Sequence, residues 1–222
     1  MAKISVAMIV KDGARTLKRS LESLKDFDDV VVYDNGSKDE SIKIASNFPN
    51  VRLFEGEFLG FGATKNRAVS FTKHDWVLIL DADEVVDRDL SNDLKDATLS
   101  KKTIYQIRFQ AFYKELKINY CGWNNQKIRR LFNKTVTKFN DNFVHENIMD
   151  KGLNVKLFEQ GHIKHYSYHS LSDFMIKADR YSTLYAKNSV GKKKSSPTKA
   201  FFNATYSFIK TYFFKRGFLD GW

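Results

Sequence analysis

Trp76-Val77-Leu78-Ile79-Leu80 is a run of five consecutive apolar residues, and no other stretch limits the fold of this chain so strongly. An uninterrupted apolar run of this length reads as a strand covered on both faces, as in a parallel sheet with helices above and below. It is the fourth in a series. Strands are expected over 3–10, 29–34, 51–54 and 76–80, separated by helices near 14–25, 38–46 and 62–72. Leu17, Leu21 and Leu24 put an apolar stripe on the first helix. This βαβαβαβ alternation predicts the α/β class: a Rossmann-like, mostly parallel sheet flanked by helices. A helix over about 88–99 follows, then strands over 103–112 and 127–133 in a more mixed C-terminal half. A helix over 171–189 carries Leu171, Phe174, Ile176 and Tyr181 among its apolar positions.

Polar residues cluster where these strands end, which is where open α/β sheets form their ligand crevice. Asp81-Ala82-Asp83-Glu84 directly follows the fourth strand. Two carboxylates one residue apart at a strand tip suit a hard divalent cation that also bridges to phosphates. Taken alone, the same pattern is equally an acidic turn before a helix. Asp34 ends the second strand ahead of Asn35-Gly36, a tight-turn pair, and Ser37 and Glu40 have the spacing of a helix capping box. Asp34 is thus a helix-entry acid or an acceptor for a nucleobase N–H. Gly60-Phe61-Gly62-Ala63-Thr64-Lys65-Asn66-Arg67 leads into the third helix, and its two bases are either solvated or form a cationic wall for a diphosphate.

In this order, these motifs resemble family-2 glycosyltransferases of the GT-A type. Ile4–Val10 with Lys11-Asp12, Tyr33-Asp34-Asn35-Gly36-Ser37, Gly62–Arg67 and Asp81-Ala82-Asp83-Glu84 carry the resemblance. Many members have an aromatic or Asn-Glu pair where this chain has Lys11-Asp12. Arg130-Leu131-Phe132, Val144-His145-Glu146 and His165-Tyr166-Ser167-Tyr168 extend the resemblance to the bacterial lipopolysaccharide-core β-glycosyltransferases. The resemblance implies an inverting transfer of glucose or galactose from a UDP-sugar to a core-glycan hydroxyl, assisted by Mn²⁺ or Mg²⁺. It implies nucleotide-sugar contacts at Ile9, Lys11, Asp34, Lys65, Arg67 and Asp81, a metal at Asp83 and His165, and a catalytic base at Glu146. Trp123, Arg130 and His145 are the acceptor-side candidates, although Trp123 and His145 also read as core residues. Arg129 and Arg130 alternate on a strand, so at most one is expected to face the cleft.

The 222 residues suffice for one catalytic domain over 1–190, with a nucleotide-sugar half over 1–100 and an acceptor-side half over 101–190. Gly191–Thr198 reads as a flexible basic linker into a basic amphipathic helical tail over 191–222. Residues 1–150 carry 24 Lys and Arg against 22 acids, whereas residues 151–222 carry 13 against 4. That asymmetry points to an anionic partner, nucleic acid or membrane. The absence of a recognisable DNA- or RNA-binding motif disfavours nucleic acid. Phe202, Tyr206, Ile209 and Phe213 form one stripe of the tail, and Lys199, Asn203, Ser207 and Lys210 another. This suits an interfacial helix on an anionic leaflet, with core packing or a homo-oligomer contact as the competing uses. The pattern is still unfinished at Gly221-Trp222, which suggests a C-terminal truncation. A single cysteine, Cys121, and no N-terminal signal pattern suit the bacterial cytoplasm, with the protein peripheral on the inner membrane's cytoplasmic face. Two other readings compete. One is a sugar-phosphate nucleotidyltransferase, whose Gly-rich loop is poorly matched at Val10–Arg15, and the other is a non-enzymatic nucleic-acid-binding module.

Overall fold

A computed structural model describes residues 3–124, 126–141, 146–191 and 195–221, with the side chains of 180, 181, 184, 187 and 188 left aside. Four parallel strands come first: β1 (Ile4–Val10), β2 (Val30–Asp34), β3 (Val51–Glu55) and β4 (Trp76–Asp81). The helices α1 (Ala14–Glu22), α2 (Ser41–Ser46) and α3 (Phe61–Ser70) connect them. β1 lies between β2 and β4 with parallel register on both sides, so Val10 sits beside Asp34 and Ile9 beside Asp81. The β-branched and leucine side chains of β1, β2 and β4 are almost wholly buried, as two covered faces require.

The remaining elements are mixed. They are β5 (Glu84–Val86), α4 (Arg88–Asp96), β6 (Thr103–Tyr113), β7 (Leu116–Lys117), β8 (Gln126–Asn133), β9 (Asn154–Leu157), β10 (Ile163–Tyr168), α5 (Leu171–Ser189) and α6 (Pro197–Ile209). The strand order is β3-β2-β1-β4-β8-β6-β10-β5, with β8 antiparallel to β4 and β10 antiparallel to β5. α4 begins on Asp87, whose carboxylate accepts from the Leu90 N–H at 2.9 Å. Gly161 passes directly over that helix start with φ 71°, and a Cβ there would overlap the Leu90 backbone nitrogen. The expected capping box does not form. Ser37 Oγ instead accepts the Asp12 N–H at 2.9 Å, and α2 starts four residues later, after Asp39 has bound the Ser41 N–H and hydroxyl. A hydroxyl can bond backbone outside its own helix as readily as it caps one.

Two compact units emerge. One comprises residues 1–109 with 127–165, and the other 110–126 with 166–222. In the first unit a polar knot at the lower end of the sheet holds Asp29, which accepts from Ser5 Oγ (2.5 Å), Lys73 N–H (2.7 Å) and Arg52 (2.6 Å). In the second unit the chain's last turn is tied down. Asp220 accepts from the Asn119 and Tyr120 N–H groups at 3.0 and 2.6 Å, and the Cys121 N–H donates to Lys215 O at 3.2 Å. The tail beyond residue 191 is thus anchored in this unit at its end.

Candidate active site

Beside the tip of β4, two carboxylates meet one buried ammonium. Lys65, 5% exposed at its side chain, lies 3.1 Å from Asp81 and 2.7 Å from Glu146. α3 aims Lys65 inward, because Gly62, Thr64, Lys65, Ala68 and Val69 form its buried face. Arg67, two positions on, is exposed and lies over the Phe71 ring at 4.8 Å. It does not line the site as expected, since residues two apart on a helix face nearly opposite ways. Burial works against the Lys65 charge, but Asp81 and Glu146 outweigh burial and the nearby Arg130, and its pKa is raised.

Arg130 is buried and binds both Asp81, at 3.1 Å, and Glu84. It was expected on the acceptor side; it borders the cavity that Glu146 also lines, and it underpins the Asp81–Glu84 turn as well. Crowding disfavours the Asp81 charge, yet Lys65 and Arg130 hold its carboxyl well below the usual range. Glu84 also accepts the Asp81 backbone N–H at 3.0 Å. Burial pushes its carboxyl up to about 8, with Arg130 opposing and Asp81 adding to the rise. Ser20 fixes the same turn by donating to Ala82 O at 2.8 Å.

Asp83 and His165, the two residues expected to hold a metal, lie side by side. In the antiparallel β5–β10 pair His165 is the cross-strand neighbour of Glu84, and its Nε2 lies 3.3 Å from Asp83 Oδ2. Burial lowers the imidazole's pKa, but Asp83 and then Glu84 and Asp81 raise it further, for a net rise. A carboxylate and an imidazole, both about a quarter exposed at their side chains, suit a Mn²⁺-like cation better than Mg²⁺. Among the described residues no group of three or more His, Cys, Asp or Glu could enclose a metal.

Glu146 is on the returning arm of a hairpin closed by the Phe139–Ile148 bridge and by Asn140 N–H donating to Asn147 O at 3.0 Å. That hairpin is moored to α3 twice. Asn66 exchanges two hydrogen bonds with the Phe139 backbone, 3.0 and 2.9 Å, and Lys65 binds Glu146. His145 lies outside the described residues. A cavity of about 370 Å³ is bounded by Lys65, Asp81, Gln106, Arg130, Phe139 and Glu146, among others. Both Arg129 and Arg130 border it, contrary to the alternation expectation, because Arg129 reaches across to Ile148 O and Asp150, at 3.2 and 2.5 Å.

Asp34 is 2% exposed at the tip of β2. Its Oδ1 accepts from the Gly36 and Ser37 N–H groups, both at 2.9 Å, while the buried Oδ2 has no hydrogen-bond partner among the described residues. Ile9 is half-buried beside Asp81, and Lys11 is exposed just beyond β1. None of these three borders the 370 Å³ cavity. Trp123 belongs to the second unit, half-buried against Tyr168 and Phe174 with centroids 5.6 and 6.3 Å away. Sequence reasoning did not single out Glu84, Gln106, Lys127 or Asn66. Glu84 was within reach as the last letter of the acidic motif, whereas Gln106 and Lys127 join the cavity only through strand pairing.

The sequence model of glycosyl transferase family 2 matches residues 5–170. An uncharacterized glycosyltransferase of Rickettsia prowazekii is 30% identical over 237 residues, covering 100% of this chain and 80% of that protein. The lipopolysaccharide core biosynthesis glycosyltransferase LpsC of Rhizobium meliloti is 24% identical over 221 residues, covering 95% and 80%. Among solved structures, S. aureus TarS 1–349 superposes with a TM-score of 0.52 at 16% identity, covering 78% of this chain. The match spans 62% of that TarS chain. The fold is therefore of the GT-A type, a mixed α/β sheet flanked by helices.

Proposed function

The chain belongs to glycosyl transferase family 2, and we propose that it moves glucose or galactose from a UDP-sugar to a hydroxyl of a lipopolysaccharide-core or related glycan, inverting the anomeric centre. The observation that carries this reading is the Lys65 ammonium, which joins a strand-tip aspartate on one side to Glu146 on the other at the edge of one cavity. Sugar transfer needs the leaving diphosphate neutralised, the acceptor deprotonated and both held in line. Lys65 is preorganised for the diphosphate, since Asp81 and Arg130 hold its surroundings in place. Glu146 takes the acceptor proton as the hydroxyl oxygen bonds the anomeric carbon and the bond to the diphosphate breaks, releasing UDP. A divalent cation held by Asp83 and His165 would add Lewis-acid neutralisation of that diphosphate.

The unpartnered Asp34 Oδ2 supports a nucleotide, because a uracil N–H would satisfy a buried acceptor that otherwise costs free energy. TarS has been solved in complex with UDP and with UDP-GlcNAc, which favours a uridine donor here. LpsC favours the lipopolysaccharide-core acceptor. UDP release from UDP-glucose and UDP-galactose with Mn²⁺ and a core oligosaccharide tests the proposal. Glu146→Gln should slow transfer about a hundredfold or more while donor affinity is kept. Wild-type turnover in that variant would remove Glu146 as the base.

A further inference from the structure

The second unit displays an apolar surface on α6, none of whose residues lines the 370 Å³ cavity. Every residue of α6 from Phe201 to Ile209 is exposed, and Phe201, Phe202, Tyr206 and Phe208 are each more than half exposed. At about 100° per residue, these four fall within an arc of about 160°. Tyr212 and Phe213 carry the patch into the following turn by packing on Phe208, with centroids 5.2 and 6.2 Å away. Lys199 and Lys210 flank the arc beside Tyr206, with Lys210 Nζ 5.7 Å from its ring centroid, and Asn203 and Ser207 occupy the far side of the helix. Isolated exposed aromatics are ordinary, but a contiguous set marks a surface that meets something.

We propose that this helix lies flat on an anionic lipid bilayer, its aromatic arc in the headgroup region and its lysines against the lipid charge. The charge pattern selects this occupant. From Ser195 to Leu219 there is no acidic residue, while Lys199, Lys210, Lys215 and Arg216 are all basic. Lys192, Lys193 and Lys194 add three more positive charges just upstream in the sequence. A second copy docked through the same arc would bring two basic segments together with no acid between Ser195 and Leu219 on either to neutralise them. Tyr206 at one border of the arc presents a ring with a polar tip, the kind of side chain that collects at membrane–water boundaries. No helix among the described residues is long and apolar enough to cross a membrane, so the helix lies on the surface. The end of this segment is held by Asp220 on Asn119 and Tyr120, so its docking would fix the second unit to the bilayer.

The test is co-sedimentation of the full chain with vesicles of phosphatidylcholine alone or with about a third phosphatidylglycerol. Anionic vesicles should bind about tenfold tighter or more, and raising the salt towards 0.5 M should weaken binding steeply. Phe202→Ser/Tyr206→Ser and Lys199→Glu/Lys210→Glu should each lose about tenfold, with thermal unfolding unchanged because all four side chains are exposed. Equal binding to both vesicle types would overturn the proposal. So would no binding to either, unaltered binding by both variants, or a concentration-dependent dimer that the same substitutions abolish without any vesicle binding.

Discussion

Replacing Lys65 by Met keeps the length and packing of the stem while deleting the charge that two carboxylates share. Two consequences separate. For stability, a hydrogen bond to a charged group contributes about 1.5–3 kcal/mol. The lower part of that range applies, because Asp81 keeps Arg130 at 3.1 Å and the Glu146 side chain retains 17% exposure to water. A loss of about 2 kcal/mol corresponds to a Tm lowered by about 4–8 °C in a chain of this size. For catalysis, removing one preorganised group that faces developing charge costs about 2.7–4 kcal/mol, or roughly a hundredfold to a thousandfold in turnover. The two effects are read by differential scanning calorimetry and by UDP release under saturating donor. A double-mutant cycle with Glu146→Gln isolates the 2.7 Å contact, and its coupling in stability should reach about 1 kcal/mol. Strictly additive stabilities would show that the pair is not formed in solution. Turnover within about threefold of wild type would refute the placing of Lys65 against the diphosphate.

Three other perturbations address different parts of the molecule. Asp34→Ala should weaken UDP binding in calorimetric titration by about tenfold, since its buried Oδ2 has no hydrogen-bond partner among the described residues; unchanged affinity would leave Asp34 with only its turn-holding role. Asp83→Ala should abolish the thermal shift produced by Mn²⁺ and leave apo stability nearly unchanged; a retained shift would move the cation elsewhere. Asp29→Asn should destabilise at neutral pH by about 1–3 kcal/mol. Burial opposes ionisation of Asp29, but Ser5, the Lys73 N–H and Arg52 outweigh it and lower its pKa below the ordinary 3.8. Its stabilising effect is therefore complete above that ordinary value and fades as pH falls through the lowered one. Denaturant melts should show the gap between wild type and variant closing only in strong acid, and a gap that already closes near pH 6 would contradict this.

The sheet was legible because its signal is local. Apolar runs and helix stripes place β1 to β4 and α1 to α3 to within about three residues of their observed bounds. The acidic turn and Asp34 were legible for the same reason, as each ends an apolar run. What failed depended on direction or on partners distant in sequence. Arg67 looked equivalent to Lys65 until the helix turned it outward over Phe71. Arg130 was read only as an acceptor-side candidate, and its ion pairs with Asp81 and Glu84, forty-six or more residues away, come from the antiparallel β8. Ser37 met every local condition for a cap and bonded Asp12 instead, twenty-five positions back. Periodicity reports which face is apolar and says nothing of which polar group waits across the cleft.

Gly161 gives the fold an unforgiving point away from the ionic cluster around Lys65. The β10 strand leaves it at once, and in antiparallel pairing a slip of a single residue turns every side chain to the other face. His165 reaches Asp83 only while Ile163 stays opposite Val86 and His165 opposite Glu84. The hydrogen bond from Asp87 N–H to His162 O, at 3.1 Å, starts that register, and Gly161 alone lets the chain come close enough to α4 to make it. A methyl group at position 161 would therefore part His165 from Asp83 while leaving both side chains intact. Screens that look only at charged residues would pass over it, and the phenotype would be traced to the wrong part of the protein.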